Sequence, residues 1–148
     1  MRRTRIAMVA LVGLALPLSG CKKESTAPKY HPAKLEDSDQ KGIKKVTLDA
    51  RAAERTGIET TTVREEMVTL ASGASMRKVI PYGALMYDKK GSTWTFTNPT
   101  PLVFVRAAVV VDDIKGDQVI LAEGPPAGTV VVTVGAAELM GAEQKYGH

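Results

Sequence analysis

The sequence predicts a mainly β fold: a small barrel or sandwich with one or two short helices, preceded by a disordered tether. Two observations carry this reading. From Val46 onward, short apolar and β-branched runs recur about every ten residues, set apart by Gly, Pro, Asn and Asp connections, which is the pattern of seven or eight short strands. Ahead of Val46, the stretch KKESTAPKYHPAKLEDSDQKGIKK is dominated by Lys, Glu, Ser, Pro and Asp, with sparse and unpatterned apolar residues. Such a segment buries too little surface to offset its ordering entropy.

Val46-Thr47-Leu48 reads as a short strand. Asp49 is placed to cap a brief helix from Ala50 to Thr56, which Gly57 closes with its access to left-handed backbone. Ile58 to Val63 is rich in threonine and β-branched residues and reads as a strand. Met67 to Leu70 reads as another, and Ala71 to Ser75 as a turn or loop. Lys78 to Ile80 is a strand stopped by Pro81, and Tyr82-Gly83-Ala84-Leu85 makes one turn leading into Leu85 to Tyr87. Asp88-Lys89-Lys90-Gly91 is a hairpin loop. Thr93 to Thr97 alternates strictly, with Trp94 and Phe96 on one face and three threonines on the other. Asn98 to Pro101 breaks it. Leu102 to Val111 is the longest strand, apolar on both faces except at Arg106. Lys115-Gly116-Asp117 turns the chain into Val119 to Ala122. Gly124 to Gly128 is a tight connection, Thr129 to Val134 a final buried strand, and Ala136 to Met140 a helical turn before a frayed tail.

The first residues are a separate matter. Arg2, Arg3 and Arg5 precede an apolar run from Ile6 to Leu16, and Leu18-Ser19-Gly20 precedes Cys21. A basic start, a short apolar core and small residues before a cleavage point make a secretory signal. The run is short of the ~20 residues that span a bilayer. Leu-Ser-Gly-Cys resembles the bacterial lipobox, whose cysteine is acylated and becomes the mature N-terminus. Cys21 is the only cysteine in the chain. The expected organisation is therefore a cleaved signal peptide at 1–20, a lipidated disordered tether at 21–45 and a β-domain at 46–148. Two or more acyl chains hold a protein stably at ~0.8 kcal/mol per buried CH₂. A flexible tether of this length reaches roughly 25–30 Å.

Charge follows the same division. The whole chain is +4, but residues 21–45 hold seven lysines against four acidic groups, and residues 46–148 hold ten basic against twelve acidic. The basic balance belongs to signal and tether, so the domain lacks the basic face that nucleic-acid binding needs. Outside the tether the only histidine is His148, and no second cysteine exists. The common nucleophile–base pairs cannot be assembled without them. The adjacent pairs Asp112-Asp113 and Glu65-Glu66 would point to opposite faces of a strand and read as solvated loop charges. Gly124 and Gly128 suit a turn, because no Lys-Ser/Thr follows to make a phosphate loop. His31, between Tyr30 and Pro32, reads as solvated. Met67, Met76, Met86 and Met140 could offer thioethers to Cu(I), but they show no ligand spacing and are expected to fill the core. Trp94 and Phe96 are expected to pack there too. No cofactor is indicated.

VIPYGAL, then STWTFT, then LAEGPPAGTVVVTVGAAEL, together with VTLDARAAERTGIETTTV, resemble in order the segments of periplasmic adaptor proteins, also called membrane fusion proteins, of RND-type efflux and secretion systems. In that family a strand ending in Pro and a turn with Ala-Leu precede a hairpin. A Leu-x-x-Gly-x-x-x-Gly pattern then leads into a Val-rich strand and Gly-Ala, here Leu121, Gly124, Gly128, Val130 to Val134, Gly135 and Ala136. The resemblance covers about Val46 to Leu139. Only fifteen residues separate Val63 from Val79, which leaves no room for the family's lipoyl-like module or helical hairpin. What it implies is the membrane-proximal domain alone. The expected function is thus a lipid-anchored, extracytoplasmic, non-enzymatic accessory or adaptor subunit, held to the membrane and docked on an integral transporter subunit. The alternative is an envelope lipoprotein that binds a small ligand or metal ion.

Overall fold

The computed structural model describes residues 30–145. Residues 1–20, read above as a signal peptide, lie outside them, as do Cys21 and His148. In chain order the elements are β1 (Ala33–Asp37), β2 (Lys44–Leu48), α1 (Ala50–Thr56), β3 (Glu59–Thr62), β4 (Arg64–Leu70), β5 (Gly73–Pro81), a 3₁₀ turn (Tyr82–Ala84), β6 (Met86–Tyr87), β7 (Thr93–Thr100), β8 (Val103–Ala108), β9 (Val110–Lys115), β10 (Gln118–Glu123), β11 (Val130–Val134) and α2 (Ala136–Lys145). The mainly β class holds. The barrel alternative does not, because the strands form two antiparallel sheets and neither closes. One is seven-stranded, in the order β1-β2-β8-β7-β11-β3 with β6 beside β7; the other is four-stranded, in the order β4-β5-β10-β9.

Two apolar clusters hold these layers. The first packs α2, through Ala136, Leu139 and Met140, onto Val46, Leu48, Phe96, Phe104 and Val132 of the seven-stranded sheet. The second joins the sheets: Val131 and Leu85 meet Ile80, Val119 and Leu121, with Val63 and Val109 between them. Val63 and Val109 are the residues at which the chain leaves the seven-stranded sheet for the four-stranded one. Val63 exchanges backbone hydrogen bonds with Gly128 and Thr129, and Val109 N donates to Thr93 O at 3.1 Å.

Helix α1 forms as its caps dictate. The Asp49 side chain accepts from Arg51 N, and Gly57 sits at φ 64, where its amide reaches Ala53 O and Glu54 O. Several expected elements need correction; the segment Ala71 to Ser75 is not a loop throughout, because β5 begins at Gly73. The tether does not extend to residue 45: Ala33–Asp37 is a strand paired with β2 from Ala33↔Leu48 to Asp37↔Lys44. Leu35 and Ala33 pack on the first cluster, and Glu36 and Asp37 pair with Lys45 and Lys44. The long strand at 102–111 is two strands in different sheets, which is why both of its faces are apolar. Strand β7 continues to Thr100, absorbing Pro99 in a register shift between Thr97 and Thr100. Ala136 begins a helix that runs to Lys145 rather than a single turn.

Candidate functional site

Arg106, the one charge in an apolar run, is explained by α2. Arg106 Nη2 donates to Glu143 Oε1 at 3.1 Å, while Nε lies 3.1 Å from Oε2 but off the hydrogen-bonding angle. The pair is largely removed from water, with the Arg106 side chain 14% and that of Glu143 5% exposed. Lys44 N also donates to Glu143 Oε1, at 3.2 Å. The Arg106 guanidinium carbon sits 4.3 Å from the centre of the Trp94 ring, close enough for a cation–π interaction. Trp94 Nε1 in turn donates to Asp88 Oδ2 at 3.1 Å. Asp88 Oδ1 accepts from the amides of Lys90 and Ser92, at 2.8 and 2.9 Å. Desolvation pushes the Asp88 carboxyl upward, but the Trp94 indole and these two amides outweigh it and hold its pKa below the ordinary value. The whole is a polar clasp from the β6–β7 hairpin, across β8, to α2 and β2.

Trp94 is therefore not a core residue. It shares a face with Phe96, as alternation requires, but only Phe96 is fully buried; Trp94 is half-buried at the rim. Beside it opens a basin of about 490 Å³, lined among others by Lys41, Asp88, Lys89, Lys90, Trp94 and Arg106.

The second feature is the β4–β5 hairpin. Strand β5 pairs with β10 only over Lys78–Pro81 but with β4 over Gly73–Val79. Its outer half is a two-stranded ribbon. From Met67 to Met76 the ribbon carries no charge. Met67 and Met76 are cross-strand partners on one face, 66% and 52% exposed. The expectation of four core methionines is thus corrected: Met86 and Met140 pack in the first cluster, whereas Met67 and Met76 face solvent on the other sheet. The four do not converge. Lys115 Nζ, at the end of β9, donates to Thr69 O at 2.6 Å. The two edges of the four-stranded sheet thus approach through a side chain instead of a ladder.

The chain matches no family model, and no curated protein or solved structure matches it. The likeness to periplasmic adaptors therefore rests on the sequence motifs alone. The remaining candidates are quickly placed. Glu65-Glu66 and Asp112-Asp113 lie on strands β4 and β9, not in loops. Glu66 meets Arg64 at 3.2 Å, Asp112 meets Arg77 at 3.6 Å and Asp113 meets Lys115 at 3.9 Å. His31 is exposed. Next to it, Tyr30 donates its hydroxyl to Asp49 Oδ1 at 3.0 Å; desolvation first, then the Asp49 carboxylate, raises its pKa. Among the described residues no three His, Cys, Asp or Glu are grouped to hold a metal ion, and no helix is long and apolar enough to cross a membrane. Sequence reasoning missed the Glu143 partner of Arg106 and the exposed ribbon. Arg106 alone among aliphatic residues was the available signal for the first. The uncharged run from Met67 to Met76 was the signal for the second.

Proposed function

We propose that this chain is a lipid-anchored, extracytoplasmic adaptor or accessory subunit that docks on an integral membrane transporter through protein–protein contact and performs no catalysis of its own. One observation carries the docking reading: the outer part of the β4–β5 ribbon has no charged residue of its own and carries two exposed methionine side chains. A ribbon of only two strands is marginal alone in water, and methionine adapts to irregular partner surfaces. A contact that covers it gains both apolar burial and a fixed strand pair. The adaptor-like order of motifs names the partner class, and the Leu-Ser-Gly-Cys signal supplies the anchor. Tethering confines the domain near the membrane and raises its effective concentration against a membrane partner.

The test has two arms. Cys21→Ser should move the protein from the membrane fraction to the soluble fraction, with loss of acyl mass on the mature N-terminus. Met67→Asp with Met76→Asp should leave the protein on the membrane and folded, and abolish co-purification of a transporter subunit after mild crosslinking. Recovery of the same membrane partner by the double variant would overturn the ribbon as the contact. Stoichiometric recovery of a small ligand or metal ion, with no membrane partner, would favour the binding-lipoprotein reading.

A further inference from the structure

Lysine usage is uneven in this domain. Lys34, Lys44, Lys45 and Lys115 each meet a carboxylate, and Lys78 donates to Gly124 O at 2.6 Å. Among the lysines whose side chains are described, only Lys41, Lys89 and Lys90 have neither an ion pair nor a side-chain hydrogen bond. All three line the same basin of about 490 Å³. They arrive from two places far apart in sequence, the β1–β2 connection and the β6–β7 loop. The clasp described above fixes that loop, because Asp88 holds the amides of Lys90 and Ser92.

The carboxylates nearby offset them only in part: Asp88 brings one negative charge against three ammonium groups. Asp88 lines the basin, but its two oxygens already serve Trp94 Nε1 and the two amides. Glu143 is taken by Arg106. With Arg106 and Glu143 paired to each other, three ammonium groups against the one carboxylate of Asp88 leave a positive balance whose repulsion an anion in the basin relieves. We propose that this basin is a binding site for a phosphate-bearing anion. The donor set favours phosphate over a carboxylate. The Arg106 fork, which would grip a carboxylate in two parallel bonds, is occupied by Glu143. What remains is a group of point-charge ammonium donors on flexible stems, which suit a tetrahedral oxyanion with several acceptor oxygens. A free phosphate compound and the phosphodiester headgroup of an anionic lipid share this chemistry. The site does not depend on the docking reading and sits on the other sheet from the ribbon.

The chain has a single tryptophan, and it lies in the site, so selective excitation of Trp94 reads binding directly. The full chain in zwitterionic detergent is titrated at constant ionic strength with inorganic phosphate, with dihexanoyl phosphatidylglycerol and, as controls, with dihexanoyl phosphatidylcholine and sodium acetate. Saturable change in Trp94 emission is expected with phosphate, phosphatidylglycerol or both, and none with the controls. Response to phosphatidylglycerol alone assigns the lipid headgroup as the source, and response to phosphate alone assigns a soluble ligand. Replacing the exposed lysines together, Lys41→Gln with Lys89→Gln and Lys90→Gln, should weaken that binding at least tenfold. No saturable response to either probe, an equal response to acetate, or unchanged affinity in the triple variant would overturn the proposal.

Discussion

Glu143 stands where helical periodicity asks for an aliphatic side chain. Ala136, Leu139 and Met140 bury one face of α2, and the fourth position of that stripe is a carboxylate 5% exposed. Its partners offset the desolvation only while all are present. Glu143→Ala strands the Arg106 guanidinium and should cost about 3–5 kcal/mol, whereas Glu143→Leu combined with Arg106→Met should be neutral or stabilising. Urea unfolding of the single and double variants checks both signs. An equal loss in the two would show that the pair contributes packing alone. Thr95 poses the opposite case. It is fully buried on the face away from Phe96, and its hydroxyl has no hydrogen-bond partner. Thr95→Val keeps the shape and removes the unpaired hydroxyl, so the variant should be more stable by about 1 kcal/mol. A loss of stability in the same unfolding measurement would show that the hydroxyl is satisfied after all.

Elements were legible where local chemistry decided them. Asp49 and Gly57 mark both ends of α1, and the alternation of β7 puts Phe96 on the core face. The strand at Ala33–Asp37 was hidden because its stabilisation is not local. Lys34, Glu36 and Asp37 read as tether until Lys44 and Lys45 are brought opposite them; hydrogen bonds from Lys34 first and then Lys45 hold the Glu36 carboxyl below its ordinary pKa, and one from Lys44 does the same for Asp37. Strands β8 and β9 looked like one because a chain that changes sheets stays apolar throughout. Helix α2 looked short because Glu143 interrupts its apolar stripe and Gly141 lowers its propensity. The polar clasp was half visible, as an arginine without an evident partner. Contact between elements also leaves a sharp prediction at the 3₁₀ turn. A methyl group on Gly83 would lie 2.8 Å from Thr133 O of β11, a backbone atom with little freedom to withdraw. Gly83→Ala should therefore cost about 1–3 kcal/mol, read as a lowered Tm. An unchanged Tm would mean that the turn is not pressed against β11.

At the scale of the whole molecule, the two sheets divide the work. The seven-stranded sheet is covered by α2, fastened by the clasp, and has its β1 edge lined with ion pairs. Charged edges discourage further pairing. The four-stranded sheet ends in a ribbon that has no charged residue of its own from Met67 to Met76 and exposes both methionines. A domain that projects one apolar ribbon fits the contact with a membrane neighbour that we propose, with the proposed acyl anchor keeping it close to the bilayer. The most direct measurement is site-specific photocrosslinking in cells, with benzoylphenylalanine at Met67 and, as a control on an exposed helix position, at Arg51. The account predicts a crosslink from Met67, absent from Arg51, to an integral subunit of a membrane transporter, and its disappearance when Cys21→Ser removes the anchor. Equal yields from the two positions, or no membrane protein captured from Met67, would contradict it.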